Sequence, residues 1–557
     1  MEQLKIVVIG GVAAGPKAAA RAKRCNPDAQ VTLIEKGEWL SYGGCGLPYF
    51  LGATVKELKD LMSTSWEAIR SPEFFKDAKD IDVLLGWEAS EIDRDNKKVL
   101  ITNVKTQETQ DLAYDKLVLA TGADTVVPPI PGVNALGVFQ LKNPGHALAM
   151  KDYLQNYEVS NAIIIGGGLI GIETAEAIAN WGMDVTIVEM QEHVLPTFLD
   201  GELAQALTYY LEQEDLNIQA NTKVLNIVTD EEGRVKGVET DQGFIEGQMV
   251  LVSVGVRPNV KLAEAAGLEV ERGIIVNQFM ETSDPDIYAC GDCVVSEHII
   301  SGKKAYVPLG STANKQGRIV GTNITGGREA FPGILGTSIV KIFDWNVGRV
   351  GLSVKEAQRL GYEVAAAFVP GPDKAHFFPG KKLILIKLIA DRKTGKMLGA
   401  QIIGPGDIAR RLDVMVTALT FGATAHQVAN LDLAYAPPFS PAMDTLINAA
   451  NVLKNIIDGK AKNMDYFEFK SKLNDENVVY VDLRTSEERK AKNVPAKNIV
   501  HIPFEELRAR SGEIPRDKEI IVFCILSTRA FEAQVILEHL GFENVSFVDA
   551  GIQFWPL

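Results

Sequence analysis

Short apolar runs and alanine-rich segments of helical period alternate along the first part of the chain. KIVVIG (5–10) is followed by GVAAG, by PKAAARAKR and then by VTLIEK, an order that predicts strand, glycine turn, helix and strand over residues 5–35. The same plan returns at 161–189, as NAIIIG, GGLIG, IETAEAIANWG and VTIVE. Two βαβ units of this kind predict two dinucleotide sites, because each unit builds one pyrophosphate cradle. From about 330 to 455, strand-like runs such as KLILIKLIA mix with a helical run around RRLDVMVTALTFG, the pattern of an α+β domain. NIIDGKAKNMDY (455–466) is polar, lacks either apolar period and reads as a linker. An α/β pattern then restarts with NVVYVDLR, EIIVFC, AFEAQVILEHL and VSFVDAG, which predicts a separate small domain.

A chain of 557 residues exceeds what one hydrophobic core supports, in keeping with three or four units. The net charge of -15 excludes a general binder of nucleic-acid backbone but leaves room for a local basic pocket that takes one small anion. The sequence contains no run of about eighteen apolar residues, and MEQLKIVVIGG enters a strand without the features of a leader, so a cytoplasmic protein is expected. The five cysteines, Cys25, Cys45, Cys290, Cys293 and Cys524, show no spacing of a secreted disulfide framework. Functional thiols would act as nucleophiles. His376, His426 and the other histidines form no spaced ligand set, and no metal site is expected.

A dinucleotide fingerprint needs glycine where the backbone turns tightly and approaches pyrophosphate, ahead of a helix whose first amides face the anion. Gly166, Gly168 and Gly171 meet this need, and Glu189 closes the next strand in position for a ribose 2′-hydroxyl, which favours NADH over NADPH. In the first unit Gly10 and Gly15 supply the outer glycines, Val12 stands at the middle position and Glu35 ends the following strand. Downstream lie LVLATGA (117–123), with Thr121 and Gly122, and TSDPDIYACGD (282–292).

A GxxxxG unit at the N-terminus, an ATG segment and a Thr…GD segment together resemble the flavoprotein disulfide reductase family. The resemblance covers about residues 1–450 and implies a fold of two Rossmann-like domains, for FAD and NAD, followed by a dimerisation domain. It implies the division 1–145 FAD domain, 146–253 NAD domain, 254–328 FAD domain again and 329–455 dimerisation domain, with 456–466 as linker and 467–557 as the last domain. Asp292 would contact the FAD ribitol, and the protein would be a homodimer. Glutathione and lipoamide reductases of the family carry a CxxxxC pair, whereas SYGGCGLPY here has Cys45 alone. A single cysteine stores oxidation as a mixed disulfide, persulfide or sulfenate. The glycines around it and a helix start near Pro48 are expected to favour its thiolate.

The pattern SxxxCGxPY is similar to coenzyme A disulfide reductases, persulfide reductases and the related NADH oxidases and peroxidases. GGVAAG lacks the histidine of the peroxidase and oxidase loop, and LDLAYAPPFSPAMD stands in place of the HPT motif of glutathione reductases. By resemblance to the coenzyme A branch, Tyr435 would approach the partner subunit's redox site. Gly44 replaces the asparagine common before the cysteine in that branch, so the thiol carrier stays open. Lys17, Arg21, Lys23 and Arg24 form a basic run on the first helix. Lys17, Arg21 and Ser41 are the expected coenzyme A contacts. CGDC (290–293) reads as structural filler committed to the FAD segment.

IVF, Cys524, ILSTR and a helix from about Ala530 resemble the active loop of rhodanese-like domains, where a cysteine between strand and helix carries sulfane sulfur. Arg529 closes the loop, and Asp482, Arg484, HIPFEEL and DAGIQFW add to the likeness, while Ser527 replaces the common loop glycine. The expected activity is NADH-dependent reduction, through FAD and Cys45, of coenzyme A disulfide, coenzyme A persulfide or polysulfide, with sulfur handling at Cys524. An NADH oxidase or peroxidase, and a sulfur-relay or sensor protein, are the alternatives.

Overall fold

The computed structural model describes residues 3–555. The chain divides into two compact units, one of residues up to 190 together with 221–334, the other of 191–220 together with 335 onward.

In the first unit, strands Lys5–Ile9, Gln30–Glu35, Asp82–Leu85, Lys116–Leu119 and Ile287–Ala289 form a parallel sheet, with Lys5–Ile9 between Gln30–Glu35 and Lys116–Leu119. Its residues Ile6, Val8, Leu33, Leu117 and Leu119 are almost fully buried, as both faces of a parallel sheet require. Helix Ala14–Cys25 covers one face and lies against helix Gly310–Asn323. The approach is close, because a Cβ on Gly317 would lie 2.4 Å from the Ala14 carbonyl oxygen. A second parallel sheet repeats the plan, with Asn161–Ile165 between Asp184–Val188 and Met249–Val252.

In the second unit, Ser338–Ile342, Trp345–Gly351, Met397–Gly404, Leu383–Asp391 and Val364–Pro372 form an antiparallel sheet in that order. A parallel sheet of Asn463–Met464, Val545–Val548, Glu519–Phe523, Val478–Asp482 and Ile499–His501 forms the small C-terminal α/β domain. That domain docks on the edge strand Val364–Pro372. The Ala550 amide donates to the Phe368 carbonyl at 3.0 Å, and the Phe368 amide donates to Asp549 at 3.1 Å.

Two details differ from the sequence-based division. The helix Gly201–Gln213, expected within 146–253, belongs to the second compact unit, held by Lys387, which is buried between Asp200 at 3.1 Å and Glu202 at 2.9 Å. The connector is also shorter than 456–466, since helix Thr445–Ile457 runs into it and Asn463–Met464 already pairs with Val545–Val548.

Candidate functional site

The two glycine turns share one geometry. A Cβ on Gly15 would sit 1.9 Å from the Gly10 carbonyl oxygen, and one on Gly171 would sit 2.2 Å from that of Gly166. Gly10 (φ 110°) and Gly166 (φ 106°) lie in the left-handed half of backbone space, where side chains are strained. Each strand-ending acid reaches back to its own turn. Glu35 accepts from the Gly11 amide at 2.6 Å and from the Gly37 amide at 2.7 Å, and Glu189 accepts from the Gly167 amide at 2.8 Å. Gly168 caps helix Leu169–Ala179 with open space around it. These cradles, closed to a Cβ at Gly10, Gly15, Gly166 and Gly171, match the needs of FAD and of NAD.

The Thr121 hydroxyl donates to the Asn259 carbonyl at 2.6 Å, and Gly122 adopts φ 67°, so both shape the strand end under the first cradle. Asp292 lies 3.9 Å from Lys142; burial pushes its carboxyl up and Lys142 opposes that shift. Cys290 and Cys293 are fully buried, and the Cys293 thiol faces the Leu119 and Cys290 carbonyl oxygens at 3.5 and 3.3 Å. Among the described residues, no group of three or more His, Cys, Asp or Glu side chains is arranged to hold a metal ion.

Cys45 sits in the single turn Gly44–Gly46 that leads into the five-residue helix Leu47–Leu51. Buried Ser41, at φ 49°, donates its amide to Gly11 and ties this segment to the first cradle. Cys45 is exposed, with its sulfur beside the start of helix Gly310–Asn323: a Cβ on Gly310 would lie 3.9 Å from it. Burial, Glu173 and Asp292 push the thiol above its ordinary value, and Lys142 only partly offsets them. The expectation that a helix start near Pro48 favours the thiolate is therefore corrected. A helix of five residues carries little dipole, and burial together with two carboxylates opposes the thiolate.

Glu173, in helix Leu169–Ala179, is itself pushed up to about 7 by burial, and Tyr49 donates to it at 3.4 Å. Neither residue emerged from the sequence, although Glu173 lies two positions past Gly171 and Tyr49 lies one turn past Cys45.

Beside Ser41, Tyr42 and Gly43 a cavity of ≈ 280 Å³ opens, lined by the cations Lys17, Arg24, Arg70 and Lys79. Burial and the nearby charges of Arg24 and Lys17 lower the Lys79 pKa, and burial lowers that of Arg70. Arg24 and Lys17 thus act on Lys79, and no acid lines the cavity. The basic run of the first helix is thus split. Lys17 and Arg24 face the cavity, Arg21 Nε donates to Thr322 at 3.0 Å instead, and Lys23 is buried on Asp80 at 2.6 Å. Arg70 and Lys79 had no sequence signal, because they come from a loop and a helix end far from the glycine motif.

In the C-terminal domain Cys524 follows strand Glu519–Phe523 and is 1% exposed. Ser527 caps helix Thr528–His539 at φ 62°, so the loop keeps a glycine-like turn at a cost of about 1 kcal/mol. Arg529 Nη2 bonds both carboxylate oxygens of Glu488, at 2.8 and 2.9 Å. Asp482 and Arg484 form a buried pair at 2.8 Å, and His501 Nε2 lies 2.9 Å from the Arg484 carbonyl. Tyr435 is 52% exposed, in a surface with Phe439 and Met443 also exposed.

Comparison with known proteins agrees with both halves. Residues 4–317 match the pyridine nucleotide-disulphide oxidoreductase family, 337–447 its dimerisation domain and 466–556 the rhodanese-like domain. A solved NAD-dependent persulfide reductase from A. fulgidus is 42% identical, with a TM-score of 0.95 over 99% of this chain and 100% of that one. Reduced CoADR-RHD from Bacillus anthracis is 33% identical, with a TM-score of 0.92 over 100% and 98%. The NAD(P)H coenzyme A polysulfide/persulfide reductase of Pyrococcus horikoshii is 38% identical over 81% of this chain and 98% of its own length.

Proposed function

The chain belongs to the pyridine nucleotide-disulphide oxidoreductase family, and we propose that it is an NADH-dependent flavoenzyme that reduces disulfides and persulfides of coenzyme A at Cys45. The observation that carries this reading is the cation-lined cavity that opens two residues from Cys45. Coenzyme A presents a pyrophosphate and a 3′-phosphate, the polyanion that a cavity lined by four cations and no acid favours.

The first cradle, Gly10, Gly15 and Glu35 with Thr121, Gly122 and Asp292, would hold FAD; the second, Gly166, Gly168, Gly171 and Glu189, would hold NADH. FAD, when bound, passes the two electrons of NADH to sulfur. Lys17, Arg24, Arg70 and Lys79 hold the carrier's phosphates, with Ser41 at the rim. The Cys45 thiolate attacks the substrate disulfide, forming a mixed disulfide and releasing one thiolate of coenzyme A. Two electrons then break that bond and free the second thiol. For a persulfide the balance is NADH, a proton and the persulfide giving NAD⁺, coenzyme A and hydrogen sulfide. Glu173 and Tyr49 stand beside the sulfur as proton-holding groups.

Tyr435 would reach the redox site of a second copy. The exposed apolar surface at Phe439 and Met443, within the region that matches a dimerisation domain, supports a homodimer. Cys524 would carry sulfane sulfur, with Arg529 as its cationic neighbour, and pass it to coenzyme A or to Cys45. Thiol chemistry of this kind fits the reducing cytoplasm.

Steady-state NADH oxidation against coenzyme A disulfide, coenzyme A persulfide, polysulfide and oxygen tests the reading. Turnover is expected with the sulfur substrates. Oxygen consumption that exceeds every sulfur turnover would make the protein an NADH oxidase instead.

A further inference from the structure

A rhodanese-like loop offers its substrate one anion position, beside the cysteine and facing the loop cation. In this protein that cation is already engaged. Arg529 donates to both oxygens of Glu488, at 2.8 and 2.9 Å. Burial works against the Arg529 charge, while its bonds to Glu488 and the negative charge of Glu488 and of the Cys524 thiolate favour it. The cation that closes the Cys524 loop is thus held on a carboxylate of the same domain. Glu488 is correspondingly held ionised: burial pushes its carboxyl up, but Arg529, the Thr485 amide and the Arg484 charge bring it below the ordinary value.

The remaining charges near the loop offer little to an incoming anion. Arg484 is locked on Asp482 at 2.8 Å, and Arg489 lies 3.7 Å from the same carboxylate. Lys492 bonds the Gln553 and Trp555 carbonyls and is lowered to about 8 by burial and Arg484. Cys524 is 1% exposed beneath this arrangement.

We propose that Glu488 is a built-in occupant of the anion position at Cys524, so that this centre rejects small anionic sulfur donors such as thiosulfate and takes its sulfur from thiol-borne persulfides. Uptake from thiosulfate would require the Cys524 thiolate to attack the outer sulfur, form a new S–S bond and expel sulfite with the electron pair of the broken one. The dianion must hold Arg529 while it reacts, and the Glu488 carboxylate competes for that cation and repels the donor. A persulfide whose terminal sulfur is attacked leaves as a thiolate and brings less charge to the loop. The inference rests on Cys524 being a sulfur carrier.

The test compares the wild-type holoenzyme with Glu488→Gln. Glutamine serves the N3 position of the Thr485 capping box as well as glutamate, so the fold of helix Ser486–Ala491 is kept while the charge is removed. Alkylation at the Cys524 peptide is followed by mass spectrometry with iodoacetate, an anion, and iodoacetamide, its neutral analogue. The wild type is expected to react far more slowly with iodoacetate, and Glu488→Gln to raise the iodoacetate-to-iodoacetamide rate ratio about tenfold. Thiosulfate:cyanide sulfur transfer should rise in parallel, through KM. An unchanged ratio in a folded Glu488→Gln protein overturns the proposal. So does a wild-type ratio that is insensitive to ionic strength, a measurement that needs no variant. Failure of Cys524 to take sulfur even from glutathione persulfide would instead refute its role as a carrier, and the alkylation ratio would still decide what Glu488 does.

Discussion

Neutralising one cation of the cavity should separate recognition of the carrier from chemistry at sulfur. Lys17 and Lys79 are the informative positions, because both are half-buried and neither holds a backbone segment. Arg70 is a poorer choice, since its guanidinium donates to the Met62 and Leu61 carbonyls at 3.0 and 3.2 Å and its loss would loosen the segment under Gly43 and Gly46. A lysine about 4 Å from a phosphate oxygen contributes ~1 kcal/mol in water-like surroundings and ~4 kcal/mol where the effective dielectric is near 20. The cavity is open to solvent, which places each lysine near the lower end, at about 1–2 kcal/mol. Lys17→Gln and Lys79→Gln should each lower kcat/KM for coenzyme A disulfide by roughly 5–30-fold, almost entirely through KM. The double variant should fall by less than the product, because removing the first charge relieves the repulsion that lowers Lys79. 2-Hydroxyethyl disulfide, which has no phosphate, should lose less than twofold in every case. Assays by NADH oxidation at two ionic strengths would show the difference shrinking as salt rises. Equal losses on both disulfides would refute the cavity as a phosphate site and point to damage at Cys45.

Cys45→Ser should abolish turnover of every disulfide and persulfide while FAD binding and flavin reduction by NADH persist; Cys524→Ser should spare small disulfides and impair only donors whose sulfur must first be lifted from a carrier. Loss of all activity in Cys524→Ser with none lost in Cys45→Ser would reverse the assignment. Glu173→Gln should lower the apparent pKa for iodoacetamide alkylation of Cys45 in flavin-free protein, since a carboxylate that pushes the thiol up is gone, and an unmoved pH profile would show that Glu173 does not face the sulfur. Asp549, fully buried where the C-terminal domain meets Phe368, is pushed from 3.8 to about 7 by burial against the Asn463, Phe368 and Lys387 contacts. A raised folded-state pKa favours the native state below the unfolded value and loses that advantage as pH rises through the folded one, here between about 4 and 7. The second unit should therefore lose up to about 3 kcal/mol of stability between pH 5 and pH 8, read as a falling thermal midpoint, and Asp549→Asn should flatten the drop. An unaltered slope in that variant would move the effect elsewhere.

Much of the fold was legible because backbone requirements leave their mark in local sequence. Gly10 and Gly15 could be read as a cradle since no side chain fits where their Cβ atoms would meet Ala120 and Gly10 carbonyls at 2.0 and 1.9 Å. KLILIKLIA reads as a strand, and it forms the interior strand Leu383–Asp391, which is buried on both faces. The shift of Gly201–Gln213 to the second unit was not legible. Its cause is a buried Lys387 answered by Asp200 and Glu202 from a helix 185 residues away, and no window of local sequence contains both partners.

The site divides along the same line. Cys45 and Cys524 stood out because a nucleophile on a tight turn needs small or loop-forming neighbours, and those neighbours are adjacent in sequence. The electrostatics that govern them come from elsewhere: Glu173 from the second βαβ unit acts on Cys45, and Glu488 from helix Ser486–Ala491 acts on Arg529. A helix start beside Cys45 could be read as thiolate-stabilising only while Glu173 and Asp292 were out of sight, and once they are placed the balance changes sign. If Cys45 is the redox thiol, its thiolate gains from positive charge beside it, and Lys142 already supplies some against burial and the two carboxylates.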